Sequence, residues 1–245
     1  MKVGIIGTGN IGGTLARKLA SKGHDVKVAN SRGPETIDAS VLSTGARAAT
    51  ADDAVHQAEV IIIAVPLTAY AALKSLLHTA PEQAIVVDTG NYYPGIFGKI
   101  DELEDGQVQA VWAQEQLGRP IIKAWNAVLA GRLAEDFPAS ALPVAGDSHA
   151  AKQVVFSLVK DTGFDPVDGG TSADAWRQQP GSPAYCTSLS SKDLEHSLTQ
   201  ANQQFLAQRR ELILEIIADR AAQDPEAITV EYVTAVNRLV TAGTF

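Results

Sequence analysis

Lys2-Val3-Gly4-Ile5-Ile6-Gly7-Thr8-Gly9-Asn10-Ile11-Gly12-Gly13 opens the chain, and Asn30-Ser31-Arg32 follows about twenty residues later. An apolar run that enters Gly-x-Gly-x-x-Gly reads as a strand, a tight turn and the start of a helix. Gly7 lets the chain leave the strand sharply, Gly9 leaves room for a pyrophosphate against the backbone, and Gly12 lets the helix pack closely on the sheet. The amides of the helix start then face the anion. Ile11, Leu15 and Leu19 recur at helical spacing, Gly23 is placed to stop the helix, and Val26 to Ala29 makes the returning strand. Glycine-rich turns are common, but this one has the strand, turn and helix context that a dinucleotide site requires.

The end of that second strand discriminates between dinucleotides. A site for NAD places a carboxylate there for the ribose 2′-hydroxyl, and the same carboxylate repels a 2′-phosphate. Asn30, Ser31 and Arg32 instead offer an amide, a hydroxyl and a guanidinium, which suit a phosphate, and the turn pair Gly33-Pro34 follows. Glu35 is the one acid within reach of a ribose, and it lies beyond the expected position. The pattern points to NADP(H), with Gly7, Thr8, Gly9, Asn10, Ile11, Gly12, Asn30, Ser31 and Arg32 holding it.

The 245 residues, 45% hydrophobic and 20% charged, are enough to bury a substantial core. A formal net charge of -8 argues against a nucleic-acid or anionic-membrane partner, which needs an excess of lysine and arginine. The apolar N-terminus is interrupted by Gly4, Gly7, Gly9, Gly12 and Gly13, so it reads as a first strand rather than a signal peptide, and a cytoplasmic location is expected. Cys186 is the single cysteine, which excludes an intramolecular disulfide and a cysteine metal cluster. His24, His56, His78, His149 and His196 are scattered without metal-ligand spacing, so no metal site is expected.

Strand-like and helix-like segments alternate along the chain as in a doubly wound, mostly parallel sheet. A helical segment is expected over Asp52 to Ala58, a doubly buried strand over Val60 to Val65, and a helix over Tyr70 to Thr79. Ala84 to Asp88 is the next strand, and Trp112 to Leu117 is helical. Further strands are expected over Pro120 to Asn126, Leu142 to Gly146 and Phe164 to Val167, with a helix over Ala150 to Thr162. Ligands bind beyond the carboxyl ends of such strands. That rule assigns Val65, Pro66, Thr68 and Asn91 to the cofactor, and it singles out Lys123 and Asn126 as a pair able to polarise a carbonyl near the nicotinamide. Residues three apart on a strand face opposite ways, so the two share a site only if the chain turns at Trp125. Tyr92 and Tyr93 are either surface packing or site residues.

Gly7-Thr8-Gly9-Asn10-Ile11-Gly12, Ser31-Arg32, Ala64-Val65-Pro66, Pro143-Val144-Ala145-Gly146-Asp147 and Gly163-Phe164-Asp165-Pro166-Val167-Asp168-Gly169-Gly170 resemble the coenzyme F420-dependent NADP oxidoreductase family. The resemblance runs over roughly residues 1 to 172. It implies a Rossmann domain with a small C-terminal part, a redox partner stacked on the nicotinamide in the cleft between them, and a homodimer. It also implies that Thr8, Gly9, Asn10, Ile11, Ser31 and Arg32 hold NADP. Similar N-terminal domains occur in pyrroline-carboxylate reductases and flavin-linked ferric reductases.

Beyond residue 172 the chain departs from the shorter archaeal members of that family. Trp176-Arg177-Gln178-Gln179-Pro180-Gly181-Ser182-Pro183-Ala184-Tyr185-Cys186-Thr187 is too aromatic for a flexible linker, and it is expected to be ordered, with Arg177 able to meet a substrate anion. Leu194, Leu198, Ala201, Phe205, Leu212, Ile216 and Ile217 keep helical spacing, and a shorter helix carrying Val230, Val233, Val236, Leu239 and Val240 follows the Asp224-Pro225 break. Such a stripe forms a subunit seam or packs within one chain. The reading is an α/β protein with a dinucleotide-binding domain over 1–172 and a largely helical region over 173–245 that completes the cleft. Its expected activity is hydride transfer between NADP(H) and F420 or a flavin. The alternatives are reduction of a small imine or carbonyl, or non-catalytic sensing of NADP(H).

Overall fold

The strands come in chain order β1 (Lys2–Ile6), β2 (Asp25–Ala29), β3 (Arg47–Ala48), β4 (Val60–Ile63), β5 (Ile85–Asp88), β6 (Ile121–Lys123), β7 (Ala141–Val144) and β8 (Asp165–Asp168). The computed structural model describes residues 1–135 and 140–241. Six of the strands form one parallel sheet in the order β3-β2-β1-β4-β5-β6, the doubly wound arrangement of a Rossmann-type α/β fold.

Helices cross over both faces. They are α1 (Asn10–Ser21), α2 (Ala39–Leu42), α3 (Ala51–Val55), α4 (Tyr70–Thr79), α5 (Pro94–Phe97), α6 (Asp101–Glu104), α7 (Gln109–Leu117), α8 (Ala130–Ala134) and α9 (His149–Asp161). Alternate side chains of each strand serve opposite layers. Val3, Ile5, Val60, Ile62, Val87 and Ile122 join Leu15 and Leu19 of α1 and Val155, Leu158 and Val159 of α9. Ile61, Ile63, Val86 and Ile121 join Val55, Leu77, Trp112 and Leu117 on the other face. Burial on both faces explains why these strands read as unbroken apolar runs.

Two departures from the sequence reading concern the later strands and helices. β7 and β8 pair with each other in a separate parallel ribbon, and the ribbon meets the main sheet at one antiparallel bridge between Lys123 and Ala145. Pro143 and Pro166 lie opposite each other's neighbours in that ribbon and bring no amide donor, which limits the ladder they can build. The apolar stripe from Leu194 to Ile217 is also not one helix. It divides into α10 (Ser191–Gln200) and α11 (Leu206–Gln223), because the chain extends at Ala201 and the Asn202 side chain accepts from the Gln204 amide to start a short 3-10 turn. α12 (Val230–Thr241) follows, and the last four residues of the region expected over 173–245 lie outside the described ones.

No helix among the described residues is long and apolar enough to cross a membrane. No group of three or more His, Cys, Asp or Glu among them is arranged to hold a metal ion.

Candidate functional site

Gly7 leaves β1 with φ +112°, and a methyl group there would lie 2.2 Å from the Ala64 carbonyl oxygen. Gly12 is equally constrained, since its Cβ would lie 2.1 Å from the Gly7 carbonyl oxygen. Gly9 is different: nothing lies within 4 Å of its would-be Cβ. Gly7 therefore serves the packing of the turn on the end of β4 and Gly12 that of the helix on the turn, and the middle glycine borders open space where the amide end of α1 is exposed. The first turn of α1 carries no acid, so its dipole and free amides are available to an anion. The cavity there is lined by Thr8, Gly9, Asn10, Arg17, Ser40 and the α8 residue Gly131. Arg17, Ser40 and α8 were not legible from the motif, because α2 and α8 reach this mouth only through the tertiary fold.

At the end of β2, Asn30 organises the loop rather than facing outward. Its Oδ1 accepts from the Arg32 amide at 2.9 Å, and its Nδ2 donates to Thr36 Oγ1 at 2.9 Å. Ser31 and Arg32 are thereby held exposed at the loop tip. At the end of β4, Val65 is half-buried and Pro66 and Thr68 are exposed on the same edge of the sheet.

Trp125 adopts φ +54°, so the chain does turn where the sequence required it. The turn is tolerated because the indole is buried and its Nε1 donates to Thr162 Oγ1 at 3.1 Å. Lys123 and Asn126 nevertheless face the interior. The Lys123 side chain is 0% exposed and donates to Asp88 Oδ2 at 2.7 Å, to Gln109 Oε1 at 2.8 Å and to the Gly90 carbonyl. All three ammonium protons are engaged. Burial pulls the Lys123 ammonium below its ordinary range, and the Asp88 carboxylate works against that shift. Asp88 Oδ1 accepts from the Tyr70 hydroxyl and from the Gly90 amide. The ion pair thus grips both sides of Gly90.

Asn126 grips the next residue. Its Nδ2 donates to Asn91 Oδ1 at 3.1 Å and to the Gln178 carbonyl at 2.8 Å, and Gln178 Nε2 donates to Asn126 Oδ1 at 2.7 Å. Asn91 Nδ2 donates to the Asn126 carbonyl at 2.9 Å and to the Tyr185 hydroxyl at 3.3 Å. The two tyrosines after Asn91 part company. Tyr92 is structural, with its hydroxyl donating to Glu104 Oε1 at 2.8 Å and accepting from the Ile100 amide, whereas the Tyr93 hydroxyl lies 2.7 Å from that of Tyr185.

The loop around Tyr185 is ordered and largely buried, as its composition suggested. Arg177, expected to meet a substrate anion, instead donates to the Leu198 carbonyl at 3.0 Å and stacks over Trp176. A second cavity lies between this loop, α11 and α12, lined by Tyr93, Leu129, Tyr185, Arg210, Ile213 and Asn237 among others. Leu129 borders this cavity, and the adjoining Ala130 borders the one at the glycine turn.

Residues 2–92 match the family model described as NADP oxidoreductase coenzyme F420-dependent, so the N-terminal resemblance is shown, while the signatures at 143–147 and 163–170 lie beyond the match. Metalloreductase STEAP3 from Rattus norvegicus is 30% identical over 178 residues, 71% of this chain and 35% of that protein. The chain spans about a third of the length of the curated relatives it matches. The solved structure of hypothetical protein SMa0349 from Sinorhizobium meliloti is 31% identical, with a TM-score of 0.59 over 71% of this chain and 87% of that one. An imine reductase from Myxococcus stipitatus, solved with NADP+, shares the fold over 98% of this chain and 71% of its own, at 19% identity and a TM-score of 0.52.

Proposed function

Proceeding from the resemblance of residues 2–92 to the coenzyme F420-dependent NADP oxidoreductases, we propose that the protein is an NADP(H)-dependent oxidoreductase. It passes hydride between the nicotinamide and a second redox partner in the cleft closed by residues 173–245. The observation that carries this reading is the pair of features at the carboxyl edge of the sheet: open space over Gly9 at an acid-free helix start, and an exposed Ser31-Arg32 tip where an NAD site would place a carboxylate. Thr8, Gly9, Asn10, Ile11 and Gly12 hold the pyrophosphate, Ser31 and Arg32 the 2′-phosphate, and Val65, Pro66, Thr68 and Asn91 border the nicotinamide half.

When bound, NADP(H) supplies or accepts the hydride. The protein contributes alignment: Lys123, Asp88 and Asn126 hold Gly90 and Asn91 in one place, acting as positioning residues rather than through contact with substrate. F420 or a flavin is the partner that the resemblance implies, and a small imine or carbonyl is the alternative. The protein assembles as a homodimer in this reading, with the exposed Leu212 of α11 and Leu239 of α12 available to a second copy, and sedimentation velocity checks it.

Arg32→Ala tests the cofactor assignment. It should weaken NADPH binding by about 2 kcal/mol, roughly 30-fold, and leave NADH affinity nearly unchanged. Equal loss for both dinucleotides would remove the 2′-phosphate from this loop.

A further inference from the structure

Five side chains form a hydrogen-bond series that ends on Tyr185 and Tyr93 at the second cavity, and the backbone fixes its direction as far as Tyr185. Asn126 Nδ2 and Asn91 Nδ2 each donate to a main-chain carbonyl, of Gln178 and Asn126 respectively, which only an amide nitrogen can do. With those amides fixed, Gln178 donates to Asn126, Asn126 to Asn91, and Asn91 to the oxygen of Tyr185. Tyr185 must then place its own proton elsewhere. The Tyr93 and Tyr185 hydroxyls lie 2.7 Å apart, and either can donate to the other. When Tyr185 is the donor, the Tyr93 hydroxyl proton is free to turn to the wall of the cavity.

We propose that Tyr93 is the proton donor for reduction of a small carbonyl compound bound in this cavity, with Tyr185, Asn91, Asn126 and Gln178 as the positioning residues that aim it. The proposal rests on the NADP(H)-dependent reading above and names its substrate class. Three observations select that class. The cavity is about 60 Å3, room for a few water-sized groups and not for a three-ring flavin or deazaflavin. Leu129, Ile213, Leu214 and Ile217 make most of its wall apolar. Asn237, 2% exposed, borders it with an Oδ1 that has no partner among the described residues, so a substrate hydroxyl or amide N–H has an acceptor there.

The chemistry balances. The carbonyl carbon takes the hydride from bound NADPH, the C–O π pair moves to oxygen, and that oxygen takes the Tyr93 proton. The alcohol and NADP+ are the products, and water returns a proton to the phenolate. Burial pushes the hydroxyls of Tyr93 and Tyr185 above the ordinary tyrosine range, so Tyr93 yields its proton only to a strong base. An alkoxide, with basicity near that of hydroxide (pKa of water about 16), is such a base, whereas a neutral imine nitrogen, which must be protonated before it takes hydride, is not. This separates carbonyls from imines.

The test uses the full chain, NADPH, and four probes: 3-hydroxybutan-2-one, butan-2-one, the cyclic imine 3,4-dihydroisoquinoline, and FMN. The parent should oxidise NADPH fastest with the hydroxyketone. Tyr93→Phe should lower kcat on it about 100-fold or more, as loss of a general acid does, with KM raised no more than several-fold and NADPH affinity little changed. Tyr185→Phe should cost less, about tenfold, because Tyr93 keeps its proton but loses its direction. Isobutyramide, whose unreactive carbonyl takes the same hydrogen bond, should bind several-fold more weakly to Tyr93→Phe by calorimetry, and it decides the matter when no probe turns over. Equal rates or equal isobutyramide affinity for parent and Tyr93→Phe would overturn the proposal. So would turnover with FMN or the imine alone, which leaves the NADPH-dependent reading standing. Failure to bind NADPH defeats both, and it shows in the titration before any acceptor is added.

Discussion

Lys123 illustrates how a residue chosen for reactivity can be committed to structure. Its ammonium is surrounded by Asp88, Gln109 and the Gly90 carbonyl, with both charged side chains fully buried. Lys123→Met should therefore lower stability by about 3 to 5 kcal/mol in urea unfolding, because the Asp88 carboxylate is left buried without its counter-charge. Restoring balance with Asp88→Asn in the same chain should recover part of that loss. A purely catalytic lysine would show unchanged urea midpoints. Cys186 is the second residue with a clear signature. Burial pushes its thiol from 9.0 to about 12, so the folded state holds the proton where the unfolded chain releases it. This contribution is complete below about pH 9 and is lost as pH rises toward 12, at about 1.4 kcal/mol per pH unit. Below pH 9 the native thiol should resist Ellman's reagent and react only on unfolding, and rapid native labelling would contradict its burial.

At the scale of elements, the strand, turn and helix at the N-terminus separate fold from binding. Gly12→Ala places a methyl 2.1 Å from the Gly7 carbonyl oxygen and should cost at least about 2 kcal/mol by displacing α1. Gly9→Ala meets no protein atom, so the melting temperature should hold while NADPH affinity falls. Calorimetry of both variants with and without NADPH checks the contrast, and a matched loss of stability would erase it. These elements were legible because their signals are local: glycine spacing marked the turn, and unbroken apolar runs marked β4 and β5 to within two residues. The helix over Tyr70 to Thr79 was legible to its ends. What stayed hidden depends on distant partners. Nothing near Lys123 in sequence announces Asp88 and Gln109, so the burial of this cation in an ion pair could not be read there. The break between α10 and α11 was equally invisible, because the apolar stripe continues through Ala201 while a single asparagine side chain redirects the backbone.

Over the whole molecule, specific contacts tie α11 and α12 to the sheet-bearing part and its loops. Val230 at the start of α12 abuts Gly131 of α8, and Glu231 pairs with Arg132 at 3.4 Å. Arg238 donates to the Thr187 and Ser188 carbonyls, which ties α12 to the loop carrying Tyr185. Gly181 is the tightest of these joints. It has φ +89°, and a methyl there would lie 2.2 Å from the Leu206 carbonyl oxygen and 3.0 Å from the Arg210 amide nitrogen. Gly181→Ala should lever the first turns of α11 away from the loop and open the second cavity, while β1 through β6 keep both core layers. The expected outcome is NADPH affinity within a few-fold of the parent, loss of most acceptor turnover, and faster amide hydrogen exchange in α11 and α12 with the parallel sheet still protected. Exchange that rises equally across sheet and helices would mean that the helical region is part of one cooperative unit with the dinucleotide-binding sheet rather than a wall added to it.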